Sequence, residues 1–215
     1  MIEVSNGGMV VGTVWIDGAV PRDTTVRPTS DGAVCGNGHP AQTIAVDDGR
    51  VGGAIVWLSD IRAGKRLPIE RLYEVRHVGC RLAPRVQAVL TGGTLNVRSA
   101  DPVSHHTRFT HTHTGDTVAV VRHSDAGSVV PVQTVVARAG LVQLSCDVHP
   151  WTTGWLAVFD HPYVTTTGPD GQFVLPEVPA GRYTLVVWHE RLGSETREIV
   201  VPGGRTSLIE VRYRL

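Results

Sequence analysis

The spacing of turn residues limits this chain more than any other feature. Short runs rich in Val and Thr are broken about every 8–12 positions by Gly, Pro or Asp-Gly pairs, a rhythm suited to a sandwich or barrel of strands. Val10–Ile16 alternates and stops at Asp17-Gly18, a hairpin-type signal. Gly53–Leu58 is apolar throughout and short, as a strand buried on both faces would be. Val86–Leu90, a turn at Gly92-Gly93 and Thr94–Arg98 continue the series, followed by Thr117–Val121, Gln133–Ala137 and Gly140–Ser145. Only Ile61–Leu72 tolerates a helix, and Pro68 interrupts it. The expected class is all-β.

After Pro162 the strands form a self-consistent meander: Gln172–Leu175, Tyr183–Trp188, Glu198–Val201 and Ser207–Tyr213. The expected division has three parts: an N-terminal β unit over 1–66, a middle unit over 67–160 and a C-terminal unit over 161–215. No flexible linker, repeat or low-complexity tract separates them.

With 41% hydrophobic and 19% charged residues in 215, the chain can bury a core. Twenty basic residues against twenty acidic give no surplus for nucleic acid. No apolar run approaches the length needed to span a bilayer. Met1-Ile2-Glu3-Val4-Ser5 lacks the basic and apolar segments of a secretion signal. No nucleophile elbow, phosphate loop or dinucleotide fingerprint occurs, so an enzyme is not expected.

The chemistry concentrates in Leu141-Val-Gln-Leu-Ser-Cys146-Asp-Val-His149-Pro-Trp151. A strand end holds a thiolate rigidly, and a tight turn brings an imidazole back to it. Thiolate with imidazole suits copper or zinc. His105, just after Thr94–Arg98, is the expected third ligand, with His106 as alternate. Neighbours on an extended chain point to opposite sides, so one of the two faces Cys146. His111 and His113 have the spacing of one strand face and offer a second, surface metal site. The remaining cysteines, Cys35 and Cys80, sit beside glycines in turn-like contexts. They read either as a disulfide that leaves Cys146 free or, with it, as three reduced thiols. His189 reads as structural. Trp151 and Trp155 fall near the rim of the site.

Pro84 to Asp101 followed by His105, with Cys146-x-x-His149-Pro-Trp later, resembles the cupredoxins, amicyanin-like and plastocyanin-like proteins among them. The resemblance covers most of the middle unit. It implies a Greek-key β-sandwich with small β-sandwich units flanking it, and a mononuclear copper for electron transfer or copper handling. It also implies a periplasmic or extracellular location. The family pattern places Met where this chain has Thr152, a poor axial ligand. The C-terminal Asp170-Gly-Gln-Phe and Pro179-Ala-Gly-Arg-Tyr motifs resemble carboxypeptidase regulatory-like domains, which are not catalytic. The other expectation is a metal-free accessory subunit that contacts proteins within a redox or membrane complex.

Overall fold

A computed structural model describes residues 4–21, 24–40, 44–61 and 63–215. Strands dominate. The described helical elements are one α-turn, Gly32–Cys35, and one 3-10 turn, Thr134–Val136. No described helix is long and apolar enough to cross a membrane.

The chain forms two compact units. The first combines residues 1–21, 44–68 and 161–215; the second combines 22–43 and 69–160. This differs from a three-part division along the sequence. The N-terminal strand Gly8–Asp17 lies between two C-terminal strands. It pairs antiparallel with Gln172–Val178 and parallel with Thr206–Arg214. Asp17-Gly18 therefore ends a strand without closing a hairpin. Ile55–Ser59 is likewise central, flanked by Val164–Thr166 and Gly181–His189, which explains its apolar faces. The two sheets of this unit enclose one core, with Val10, Val14, Leu58, Phe173, Leu175, Leu185 and Tyr213 among its buried residues. The described part of Ile61–Leu72 is not helical, and Arg62 lies outside the described residues.

The second unit is also a two-sheet sandwich. One sheet runs Val129–Val132, Thr94–Ser99, Leu72–Val78, Arg81–Ala83. The other runs Thr117–His123, His105–His111, Gly140–Cys146, Thr153–Phe159, Val86–Leu90. Val86–Leu90 and Thr94–Ser99 thus belong to different sheets, and the Gly92-Gly93 turn carries the chain across. Alternating inward residues, such as Leu95 and Val97 or Val142 and Leu144, fill the space between. The segment expected as a strand over Gln133–Ala137 contains the 3-10 turn instead. Val135 and Val136 are both fully buried, which adjacent positions of a strand cannot achieve toward one core.

Candidate metal centre

Three strand ends of the second unit converge. Gly140–Cys146 and Thr153–Phe159 form a hairpin, closed by Cys146 N donating to Thr152 O (3.1 Å) and Thr152 N donating to His149 O (2.9 Å). His149 sits in that loop, and His105 opens the adjacent strand, His105–His111. Arg108 grips the loop from this neighbouring strand, its Nε and Nη2 donating to the two carboxylate oxygens of Asp147 at 2.9 and 2.7 Å. That pairing holds the Asp147 carboxyl below the usual carboxylate range.

His105, Cys146 and His149 are all buried, with donor atoms gathered within 4.8 Å of one another. Cys146 Sγ lies 3.8 Å from His105 Nδ1 and 3.8 Å from His149 Nδ1, and the two Nδ1 atoms are 3.1 Å apart. Metal–nitrogen bonds of about 2.1 Å and metal–thiolate bonds of about 2.3 Å are long enough for one ion to reach all three.

The outer nitrogens explain why both Nδ1 atoms face inward. His105 Nε2 is 3.0 Å from Asp101 Oδ2, and His149 Nε2 is 3.0 Å from Asp31 Oδ2. A carboxylate only accepts, so each Nε2 carries a hydrogen, and in the neutral imidazole each Nδ1 presents its lone pair. Two lone pairs facing at 3.1 Å repel unless a cation lies between them. Burial holds the His105 imidazole below the ordinary histidine value, against the opposing pull of Asp101.

Asp101 is itself fixed. It accepts from Gly79 N (2.7 Å) and Cys80 N (2.8 Å), the two turn residues joining Leu72–Val78 to Arg81–Ala83. Both adopt positive φ, 57° and 58°, as a two-residue primed turn requires. Cys80 is joined to Cys35 by a disulfide, and Cys146 remains the free cysteine.

His77 stacks on His105, ring centroids 4.0 Å apart and planes 13° from parallel. Its Nε2 pairs with Thr107 Oγ1 at 2.6 Å. Burial first, then the neighbouring imidazoles, push its pKa down to about 3. His123, held by Ser128 Oγ at 2.7 Å, approaches His77 edge-on, and burial lowers its pKa too. On the other side Trp151 lies 5.1 Å from His149, and His39 stacks on Trp151 at 6.2 Å.

The remaining candidates lie elsewhere. His106 is half-buried on the opposite strand face from His105, and its carbonyl accepts from Asp147 N. Thr152 is buried, but its hydroxyl donates to the Cys80 carbonyl. The strand ends at His111, and His113 is exposed in the following turn, so the two do not share a strand face. His189 Nδ1 accepts from Arg191 N at 3.2 Å, a structural role. Sequence reasoning missed Asp31, His77, His123 and His39. The only local signal was at Asp101, which stands in the motif leading to His105.

Comparisons with known proteins are distant. The family model described as Polysaccharide lyase family 4, domain II matches residues 126–208, less than half of the chain. It reaches the C-terminal stretch whose motifs resemble carboxypeptidase regulatory-like domains, under a different description. No curated protein matches. Among solved structures, the copper-containing nitrite reductase NirK of Thermus scotoductus SA-01 is 17% identical over 48% of this chain, with a TM-score of 0.37. The match spans only 25% of the reductase. A purple cupredoxin from Nitrosopumilus maritimus is 16% identical over 40% of this chain and 99% of its own, with a TM-score of 0.34. A mutant amicyanin in the Cu(I) state is 17% identical over 41% of this chain and 82% of its own, with a TM-score of 0.35.

Proposed function

We propose that the second unit is a cupredoxin-like module that binds one copper ion through Cys146, His105 and His149. The observation that carries this reading is the pair of buried Nδ1 atoms at 3.1 Å, each with its Nε2 turned to a carboxylate and a thiol sulfur 3.8 Å from both. Such a set has room for one cation at its centre and offers the soft donors that copper prefers. Bound there, copper would supply a one-electron couple. The protein's own contributions are orientation and exclusion of water. Asp101 and Asp31 fix the imidazoles, and burial of all three donors keeps the surroundings dry and rigid. Thr152 spends its hydroxyl on Cys80, so the reading is of a three-coordinate site.

The role we assign is electron transfer or copper handling with a protein partner, a redox protein or membrane complex, in the periplasm or outside the cell, and not catalysis. The first unit is read as a non-catalytic sandwich of carboxypeptidase regulatory-like type, completed by N-terminal strands. Titration of the purified protein with Cu(II) tests the metal. The expected result is an intense thiolate-to-copper band in the visible range, stoichiometric with protein and lost in Cys146→Ser. Absence of the band together with absence of bound metal by elemental analysis overturns the reading in favour of a metal-free accessory subunit.

A further inference from the structure

The two carboxylates that orient the histidines belong to arms joined by a single covalent bond. Asp31 precedes the turn Gly32–Cys35, and its backbone carbonyl accepts from Val34 N and Cys35 N at 2.9 and 2.8 Å. Its side chain reaches His149 Nε2. On the other arm, Cys80 N donates to the same Asp101 oxygen that faces His105 Nε2. The Cys35–Cys80 disulfide ties these arms together directly behind the ligands. The sulfurs of Cys35 and Cys80 lie within 4.8 Å of a His149 ring nitrogen, and that of Cys80 also lies within 4.8 Å of an Asp101 oxygen and a His105 ring nitrogen.

The two arms are held unequally. Asp101 is buried and has two backbone donors besides the histidine. Asp31 lies on residues 24–40, and among the described residues none of these joins the apolar core of the unit. Its side chain is 38% exposed, against 6% for Asp101. Among the described residues, the contacts that seat this segment include Asp31 on His149 and His39 on Trp151, with the disulfide as its covalent anchor. A segment without core contacts opens at low cost once such an anchor is cut.

We propose that Cys35–Cys80 is a redox latch on the Cys146, His105, His149 centre. Oxidised, it seats Asp31 on His149 and keeps the centre closed and tight for metal. A dithiol reductant opens it. The two thiols of the reductant become a disulfide, the Cys35–Cys80 bond takes up two electrons and two protons, and Cys35 and Cys80 become thiols. Asp31 then leaves His149 while Asp101 stays on His105, and the centre loosens toward its ion on one side. By linkage, bound metal makes the disulfide harder to reduce.

This rests on metal binding by the triad, so the test carries a metal-free readout as well. In wild type and in Cys35→Ser/Cys80→Ser, Cys146 is the one free thiol, and its rate of maleimide labelling reports opening. Labelling is expected to be at least about 10-fold faster in the variant, as a local opening equilibrium would give. Zinc(II) affinity, measured by competition with a chromogenic chelator, is expected to fall about 10–100-fold in the double variant and in Asp31→Ala. Combining the changes should add little, because both act through one contact. Asp31→Ala keeps the disulfide and so guards against a folding failure in the double variant. Unchanged labelling without the disulfide overturns the latch, as does zinc binding that is measurable and equally tight with and without it. Faster labelling when no form binds either zinc or copper supports the latch and overturns the metal reading.

Discussion

His77 shows how a single residue ties stability to pH. Its folded pKa is near 3, and an unfolded histidine titrates near 6.5. Between those values the unfolded chain binds more protons than the folded one. The stabilisation is therefore fully present above about pH 6.5 and is lost as pH falls below it. At pH 5 this residue alone costs about 2 kcal/mol. Burial lowers His39, His105 and His123 as well, and they act in the same direction. The denaturant midpoint of the metal-free protein is expected to fall steadily from pH 7 to pH 5, with a shallower slope in His77→Gln. A flat midpoint over that range would contradict the buried neutral imidazole. Neither this residue nor Asp31 was legible in the sequence. Cys146 and His149 are read easily because only two residues of turn separate them, and His105 because it follows a strand. His77 reaches His105 only through the parallel pairing of Leu72–Val78 with Thr94–Ser99 and the carry-over to the other sheet, and Asp31 reaches His149 across more than a hundred residues. Spacing along the chain carries no signal for either.

At the scale of one element, strand His105–His111 links the centre to the core. Alternation turns His105, Thr107 and Phe109 inward, so one strand supplies a candidate ligand, the partner of His77 and a fully buried aromatic ring. Phe109→Ala is expected to destabilise the second unit by about 3–5 kcal/mol through lost burial and the cavity left behind. Thr110→Ala, on the other face, is expected to stay within about 0.5 kcal/mol of wild type. Urea unfolding of the two variants measures the difference, and equal losses would contradict the inward register. Strands of this kind are legible because alternation is local, as in Thr94–Ser99, Thr117–His123 and Gly140–Cys146. The turn at Thr134–Val136 is not, since β-branched residues suggest a strand and only the core decides otherwise. Gly32–Cys35 is a single turn, too short for any periodicity to mark it.

At the scale of the whole molecule, the sequence could not show that its two ends share a sandwich, because pairing between Gly8–Asp17 and Thr206–Arg214 leaves no trace in either segment alone. The parallel register runs unbroken from Met9 opposite Thr206 to Asp17 opposite Arg214. Within residues 161–215, the long ladder that remains is the hairpin of Gly181–His189 with Gly193–Val201. Gln172–Val178 and Thr206–Arg214 both take Gly8–Asp17 as a partner, and Gly181–His189 also needs Ile55–Ser59. A lone hairpin is marginal in water, and the inward faces of Phe173, Leu175, Val211 and Tyr213 would lose Val10, Val14 and Leu58 from the core they share. A fragment of residues 161–215 is therefore expected to be unfolded on its own, with collapsed amide dispersion and no cooperative melt, whereas the same residues in the full chain resist exchange. A well-dispersed amide spectrum from that fragment would show instead that the C-terminal strands fold as a unit without the N-terminal strand.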